Sequence, residues 1–158
     1  MIEIHEARDP AAIAAARTLF EQYQKALDID LSFQGFATEL DTLPGDYAAP
    51  RGRLLLARDG DAVAGCVAMR PLTRDTCEMK RLYVTPRFRA TGVGRRLAER
   101  VIAEARAAGY TRMYLDTLPM MASAQRLYES LGFRDIPAYR DNPIAGARFL
   151  GVDLGPGP

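Results

Sequence analysis

The chain has no tryptophan, one histidine, two cysteines, and no apolar run near the roughly 20 residues a membrane-spanning helix needs. Each absence removes a class of function. With His5 as its only histidine, the chain offers no ring-nitrogen set for catalytic zinc, and a serine triad would have to be built around that residue. Cys66 and Cys77 lie in strand-like segments and match no metal or redox spacing. The opening MIEIHEARDP is charged from its third residue and lacks a signal-peptide apolar stretch. The chain therefore reads as reduced and cytoplasmic, with no metal and no membrane partner.

What is present suffices for a packed core. A length of 158 residues at 48% hydrophobic content predicts one domain over 1–154, with a disordered tail at 155–158. Net charge is only +1, but it is unevenly placed. Between positions 80 and 100, Lys80, Arg81, Arg87, Arg89, Arg95, Arg96 and Arg100 face one acid, Glu99. That window carries +6 and leaves −5 for the rest. A nucleic-acid binder more often spreads positive charge over a whole face, so no nucleic acid is expected and one local polyanion fits better.

The periodicities predict the order β, α, α, β, β, β, α, β, α, β, β. Ile2 and Ile4 alternate with polar residues, and Asp9-Pro10 caps a helix carrying Ile13, Ala16, Phe20, Tyr23 and Leu27. A short helix is expected around Phe33 to Leu43. Two apolar strands flank the Asp59-Gly60-Asp61 turn, and a third runs from Cys77 to Thr85. The helix after Gly92 stops at Gly109, and Met113 to Leu118 is a strand. Ser123 to Leu131 is a helix, and strands are expected from Phe133 onward and from Arg148 to Leu154. One hairpin and one β-α-β crossover predict an α/β (α+β) fold with a mixed sheet and helices on both faces.

The informative stretch is Arg89-Ala90-Thr91-Gly92-Val93-Gly94, between a strand and a helix. The first N–H groups of a helix lack internal partners, the helix dipole favours negative charge there, and glycine admits a phosphate close to the backbone. The loop is not a Walker A sequence. A dinucleotide fingerprint would need glycine where Leu97 stands, although Asp116 falls near the place of a ribose-binding acid. A plain structural turn is the alternative.

Taken with Ala124, Leu127-Tyr128 and Leu131-Gly132-Phe133, this loop resembles the two signatures of the GNAT superfamily of acyl-CoA-dependent N-acyltransferases. The resemblance is strongest from Cys77 to Phe133. It implies a mostly antiparallel sheet of about seven strands, splayed between strands 4 and 5, and acetyl-CoA as acyl donor. By the same resemblance Arg89, Ala90, Thr91, Gly92, Val93, Gly94 and Arg95 hold the pyrophosphate, and Leu82 and Val84 hold the pantetheine through their backbone. Tyr128 corresponds to the tyrosine that protonates the departing thiolate, and Glu78, eleven residues before Arg89, to a glutamate base of some members. Strict alternation puts Glu78, Lys80, Leu82 and Val84 on one strand face, with Lys80 and Arg81 holding the carboxylate ionised. Where the family often has asparagine, this chain has Met121. Cys77 as an acyl-carrying nucleophile has no nearby histidine in sequence, and a strand cysteine is usually a small buried hydrophobe.

The implied activity is direct N-acetylation of a primary amine on a small molecule or peptide. The alternative is a non-catalytic acyl-CoA-binding or sensing module on the same fold. In this fold the acceptor pocket is built by the segment between the first two helices and the loop before the last strand. That nominates Phe33, Tyr139 and Asn142, with Arg140 able to meet a substrate carboxylate. A homodimer is left open.

Overall fold

In the computed structural model, which describes residues 1–155, the chain alternates strands and helices in the expected order. Positions 156–158, and with them most of the expected disordered tail, lie outside the described residues. The elements are β1 (Ile2–Glu6), α1 (Pro10–Leu27), α2 (Phe36–Thr42), β2 (Arg53–Asp59), β3 (Ala62–Pro71) and β4 (Thr76–Val84). They continue with α3 (Val93–Ala107), β5 (Arg112–Thr117), α4 (Ala122–Ser130), β6 (Arg134–Asp135) and β7 (Arg148–Asp153). Among the described residues no helix is long and apolar enough to cross a membrane.

Local chemistry sets the boundaries. The Asp9 carboxylate accepts the Ala12 N–H at 2.8 Å and Pro10 follows as the first helical residue. Helix α1 ends where Asp28 turns left-handed and its N–H reaches the carbonyls of Gln24 and Lys25. The second helix begins later than expected. Ser32–Gln34 forms one 3₁₀ turn, and Gly35 at φ 68° redirects the chain before Phe36. The strand expected from Phe133 is only two residues long: Ile136 N–H still reaches the Phe149 carbonyl, but Pro137 has no N–H to continue the ladder.

The strands form one sheet in the order β1-β2-β3-β4-β5-β7-β6, antiparallel except for β4 and β5. Helices α1 and α2 cover one face, over Leu54, Leu56, Cys66 and Ala68. Helices α3 and α4 cover the other, over Leu55, Val67, Met79 and Leu115.

Two irregularities in β4 make the site. Its parallel pairing with β5 runs from Thr76↔Arg112 to Glu78↔Tyr114 and then stops, so the strands part beyond Glu78. On its other side the register with β3 slips between Ala68↔Lys80 and Cys66↔Tyr83. Arg81, at φ 62°, is the extra residue of a β-bulge. The bulge corrects the expected strand face. Glu78 and Lys80 point toward α1 and α2, whereas Leu82 and Val84, one step out of phase, pack on the α3 side.

Candidate active site

The loop between β4 and α3 leaves its donors free. Ala90 at φ 61° and Gly92 at φ 88° bend the backbone into the kind of turn that lines one concave side with N–H groups. Among the described residues, the N–H groups from Ala90 to Arg95 donate to no protein acceptor; the first intrahelical bond is Arg96 N–H to Gly92 C=O, 3.1 Å. Together with the head of the fifteen-residue α3 they present a set of donors of the kind that suits an anion.

From that loop a groove of about 720 Å³ runs along β4, the size of a small-molecule site. Leu82, Val84, Arg89, Ala90, Gly92, Val93, Gly94 and Arg95 line one side, and Met120, Met121, Ala124 and Leu127 the other. Thr91 is not in the lining, since its hydroxyl turns back onto the Phe88 carbonyl. The Arg89 guanidinium lies over the Tyr83 ring, 5.9 Å from its centroid, and donates to the Val84 carbonyl at 3.3 Å.

The +6 window is not one patch. Arg96 and Arg100 bond the carbonyls of Ile2 and Ile4, tying α3 to β1. Lys80 and Arg81 lie on the opposite sheet face. Only part of the charge seen in sequence therefore serves the loop.

The groove meets a small chamber, about 30 Å³, at the split between β4 and β5. Leu82, Met121 and Tyr128 line it from the groove side, and Gln34, Lys80, Asp116 and Asn142 from the other. Tyr128 is 4% exposed, and its hydroxyl makes no hydrogen bond among the described residues. Burial pushes that hydroxyl well up from the ordinary phenol range, so it stays protonated at neutral pH.

Glu78 is fully buried, and its cations are not the expected ones. Oε1 accepts from Arg70 Nε at 2.9 Å and from Arg140 Nη2 at 2.7 Å, while the Tyr139 hydroxyl donates to Oε2 at 2.6 Å. Tyr139 is fixed in turn between the Tyr114 and Phe149 rings, both centroids at 5.4 Å. Arg81 instead pairs with Glu39, and Lys80 donates to Gln34 Oε1 at 3.1 Å. Burial, helped by the neighbouring Arg81 charge, pushes Lys80 down to about 8.

Of the residues expected to meet the acceptor, Asn142 lines the chamber and its amide donates to Asp116 Oδ2 at 3.2 Å. Phe33 does not take part: it is 37% exposed, and its neighbours Leu31 and Gln34 line the chamber instead. Cys77 is fully buried, with its thiol pushed up to about 12 by burial, so it presents no nucleophile. Sequence reading passed over Arg70, held Gln34 only as the end of the acceptor segment 28–34, and weighed Lys80 only as a neighbour of Glu78. Its one hint was the set of adjacent charges, Glu78, Lys80 and Arg81, inside an apolar strand.

The Acetyltransferase (GNAT) family model matches residues 14–133. An uncharacterised N-acetyltransferase of Schizosaccharomyces pombe is 36% identical over 155 residues, 97% of this chain and 95% of its own. Among solved structures, a GNAT-family acetyltransferase from Staphylococcus aureus Mu50 superposes with a TM-score of 0.80 at 23% identity, over 98% of this chain and 99% of that one. A Salmonella typhimurium protein solved with its cofactor acetyl-CoA gives 0.68 at 23% identity, over 98% and 94%.

Proposed function

The chain belongs to the acetyltransferase (GNAT) family and is an acyltransferase; we propose that it moves an acetyl group from acetyl-CoA directly to a primary amine. The observation that carries this reading is the run of free N–H groups from Ala90 to Arg95, opening into a groove that ends at Tyr128. Those donors fit a pyrophosphate, and the apolar walls of Leu82, Val84, Met121 and Leu127 fit a pantetheine arm. The activity is assigned to one domain spanning 1–154.

The chemistry needs a neutral amine, a polarised thioester carbonyl and a proton for the leaving sulfur. The acceptor ammonium first loses one proton to solvent. Its nitrogen lone pair then bonds to the acetyl carbon, the C–S bond breaks, and its electron pair leaves on sulfur. Tyr128 protonates that thiolate, and the second nitrogen proton returns to the tyrosine through solvent. The products are the N-acetylated amine, coenzyme A and one released proton. Free backbone at the β4 split, around Leu82, polarises the carbonyl.

Glu78 is assigned a positioning task in place of the base role. Both oxygens of this fully buried carboxylate are already engaged, by two guanidinium groups and a phenol, and the carboxylate thereby fixes Arg70, Tyr139 and Arg140 beside β4.

Calorimetric titration with acetyl-CoA, coenzyme A and NAD tests the reading. Binding of the first two with no heat from NAD is expected. Absence of coenzyme A binding would reduce the Gly92 loop to a structural turn and remove the proposal.

A further inference from the structure

Building on acetyl transfer at this site, we infer that the acceptor is a compact amino-carboxylate, with its amine toward Asp116 and its carboxylate on Lys80 across the β4–β5 split. The argument begins with register. The last paired residues are Glu78 and Tyr114, so the same register carried two residues further sets Lys80 opposite Asp116, where the strands have parted. Both side chains lie on the α1/α2 face and both line the chamber.

The charges around them are accounted for unevenly. Arg81 is matched by Glu39, and Arg70 with Arg140 shares Glu78. Lys80, 5% exposed, has only the neutral Gln34 carbonyl as partner, leaving two of its three donors unused. Asp116 has only the neutral Asn142 amide on Oδ2, and Oδ1 is unbonded among the described residues. The two form no ion pair with each other.

A charge as buried as that of Lys80, held by a neutral amide alone, is costly, and the half-buried Asp116 across the split is held no better. The cost is removed by a ligand that brings an anion to Lys80 and a cation to Asp116, which is the charge pattern of an amino acid. Next to the chamber two arginines share one carboxylate, and Arg140 Nε is buried without a partner, so the potential there favours an anion further. The orientation follows from the opposite wall. Leu82, Met121 and Tyr128 mark where the acyl group arrives, and the amine must face them. The chamber's small volume limits what enters to the amino-carboxylate head, so the rest of the acceptor stays outside it.

The test measures coenzyme A release from acetyl-CoA with matched acceptors: each common amino acid, its primary amide, and its decarboxylated amine. Simple alkyl amines and peptide N-termini run alongside. The best amino acid is expected to exceed its amide and its amine in kcat/KM by at least about 100-fold. In Lys80→Met that ratio should collapse through a raised KM for the amino acid, while Lys80→Arg retains part of it. Acetyl-CoA affinity within about twofold of wild type in both variants shows that the fold and donor groove persist. Amides or amines that match their amino acids would overturn the inference and leave acetyl transfer standing. So would turnover of the alkyl or peptide amines alone, or a ratio that Lys80→Met leaves untouched. Release from no acceptor at all would overturn acetyl transfer itself, and the inference with it.

Discussion

Arg81 grips Glu39 fork to fork, Nε to Oε2 at 2.8 Å and Nη2 to Oε1 at 2.9 Å, and so ties the bulge of β4 to helix α2. Both groups are buried, 2% and 10% exposed in their side chains. A bidentate charged pair in that setting offsets the left-handed backbone of Arg81, which costs about 1–2 kcal/mol for an L-residue. Removing one partner strands the other. Glu39→Ala should lower stability in chemical denaturation by about 3–5 kcal/mol, whereas a loss under 1 kcal/mol would mean the bulge holds without the pair.

Tyr128 separates chemistry from binding. Tyr128→Phe keeps the ring against Phe133 and deletes only the hydroxyl. Turnover should fall by about 100-fold at unchanged acetyl-CoA affinity, read from steady-state kinetics beside calorimetry. Full activity would move the proton donor elsewhere.

Glu78→Gln distinguishes positioning from base catalysis. Loss of the buried charge leaves Arg70 and Arg140 without their anion, so stability should drop by about 3 kcal/mol and acceptor KM should rise. A base role predicts a different result: the ascending limb of the pH–rate profile would vanish with stability intact.

The two glycines of the loop should respond differently. Gly92 sits at φ 88°, so Gly92→Ala should cost about 1–2 kcal/mol although its Cβ meets nothing. A Cβ on Gly94 makes ordinary contact with Val84 Cγ2, 3.5 Å away, so Gly94→Ala should be nearly neutral for stability. Calorimetry should show weaker coenzyme A binding in Gly92→Ala, where the turn is strained, and little change in Gly94→Ala.

Lys80 gives a signature in alkali. Its folded value of about 8 lies below its ordinary 10.5, so the unfolded chain binds more protons between those two values. The penalty for burying the charge is present in full below pH 8 and disappears as pH rises toward 10.5. The contribution of Lys80 to stability therefore grows by about 3 kcal/mol across that window. Buried tyrosines and thiols titrate in the opposite sense there, so the quantity to measure is the wild-type minus Lys80→Met difference. A flat difference would place Lys80 in a water-like setting.

How much of this was legible in the chain depends on distance. The Asp9 cap, the Gly60 turn, the Gly109 stop and the loop from Arg89 to Gly94 are written in neighbouring residues, and each took its expected place. The register with β3 that makes Arg81 a bulge was not legible. Thr76 to Val84 carries charged residues at consecutive positions, so strict alternation had no apolar marker to contradict it. Nor were the partners of Glu78 visible, since Tyr139 and Arg140 lie some sixty residues away. Phe33 was nominated for its aromatic character, but the αL glycine at position 35 and the 3₁₀ turn before it bring Leu31 and Gln34 inward instead.

The loop from Ala90 to Arg95 offers main-chain N–H groups, which every residue but proline possesses, whereas the far side of the chamber rests on the side chains of Gln34, Lys80, Asp116 and Asn142, from four separate segments. The two halves of the site are therefore unequally exposed to mutation. On the proposed function, substitutions at Gln34, Lys80, Asp116 or Asn142 should change which amine is accepted and leave the backbone donors of the loop in place. Acceptor preference is thus free to change while the donor half of the site is kept.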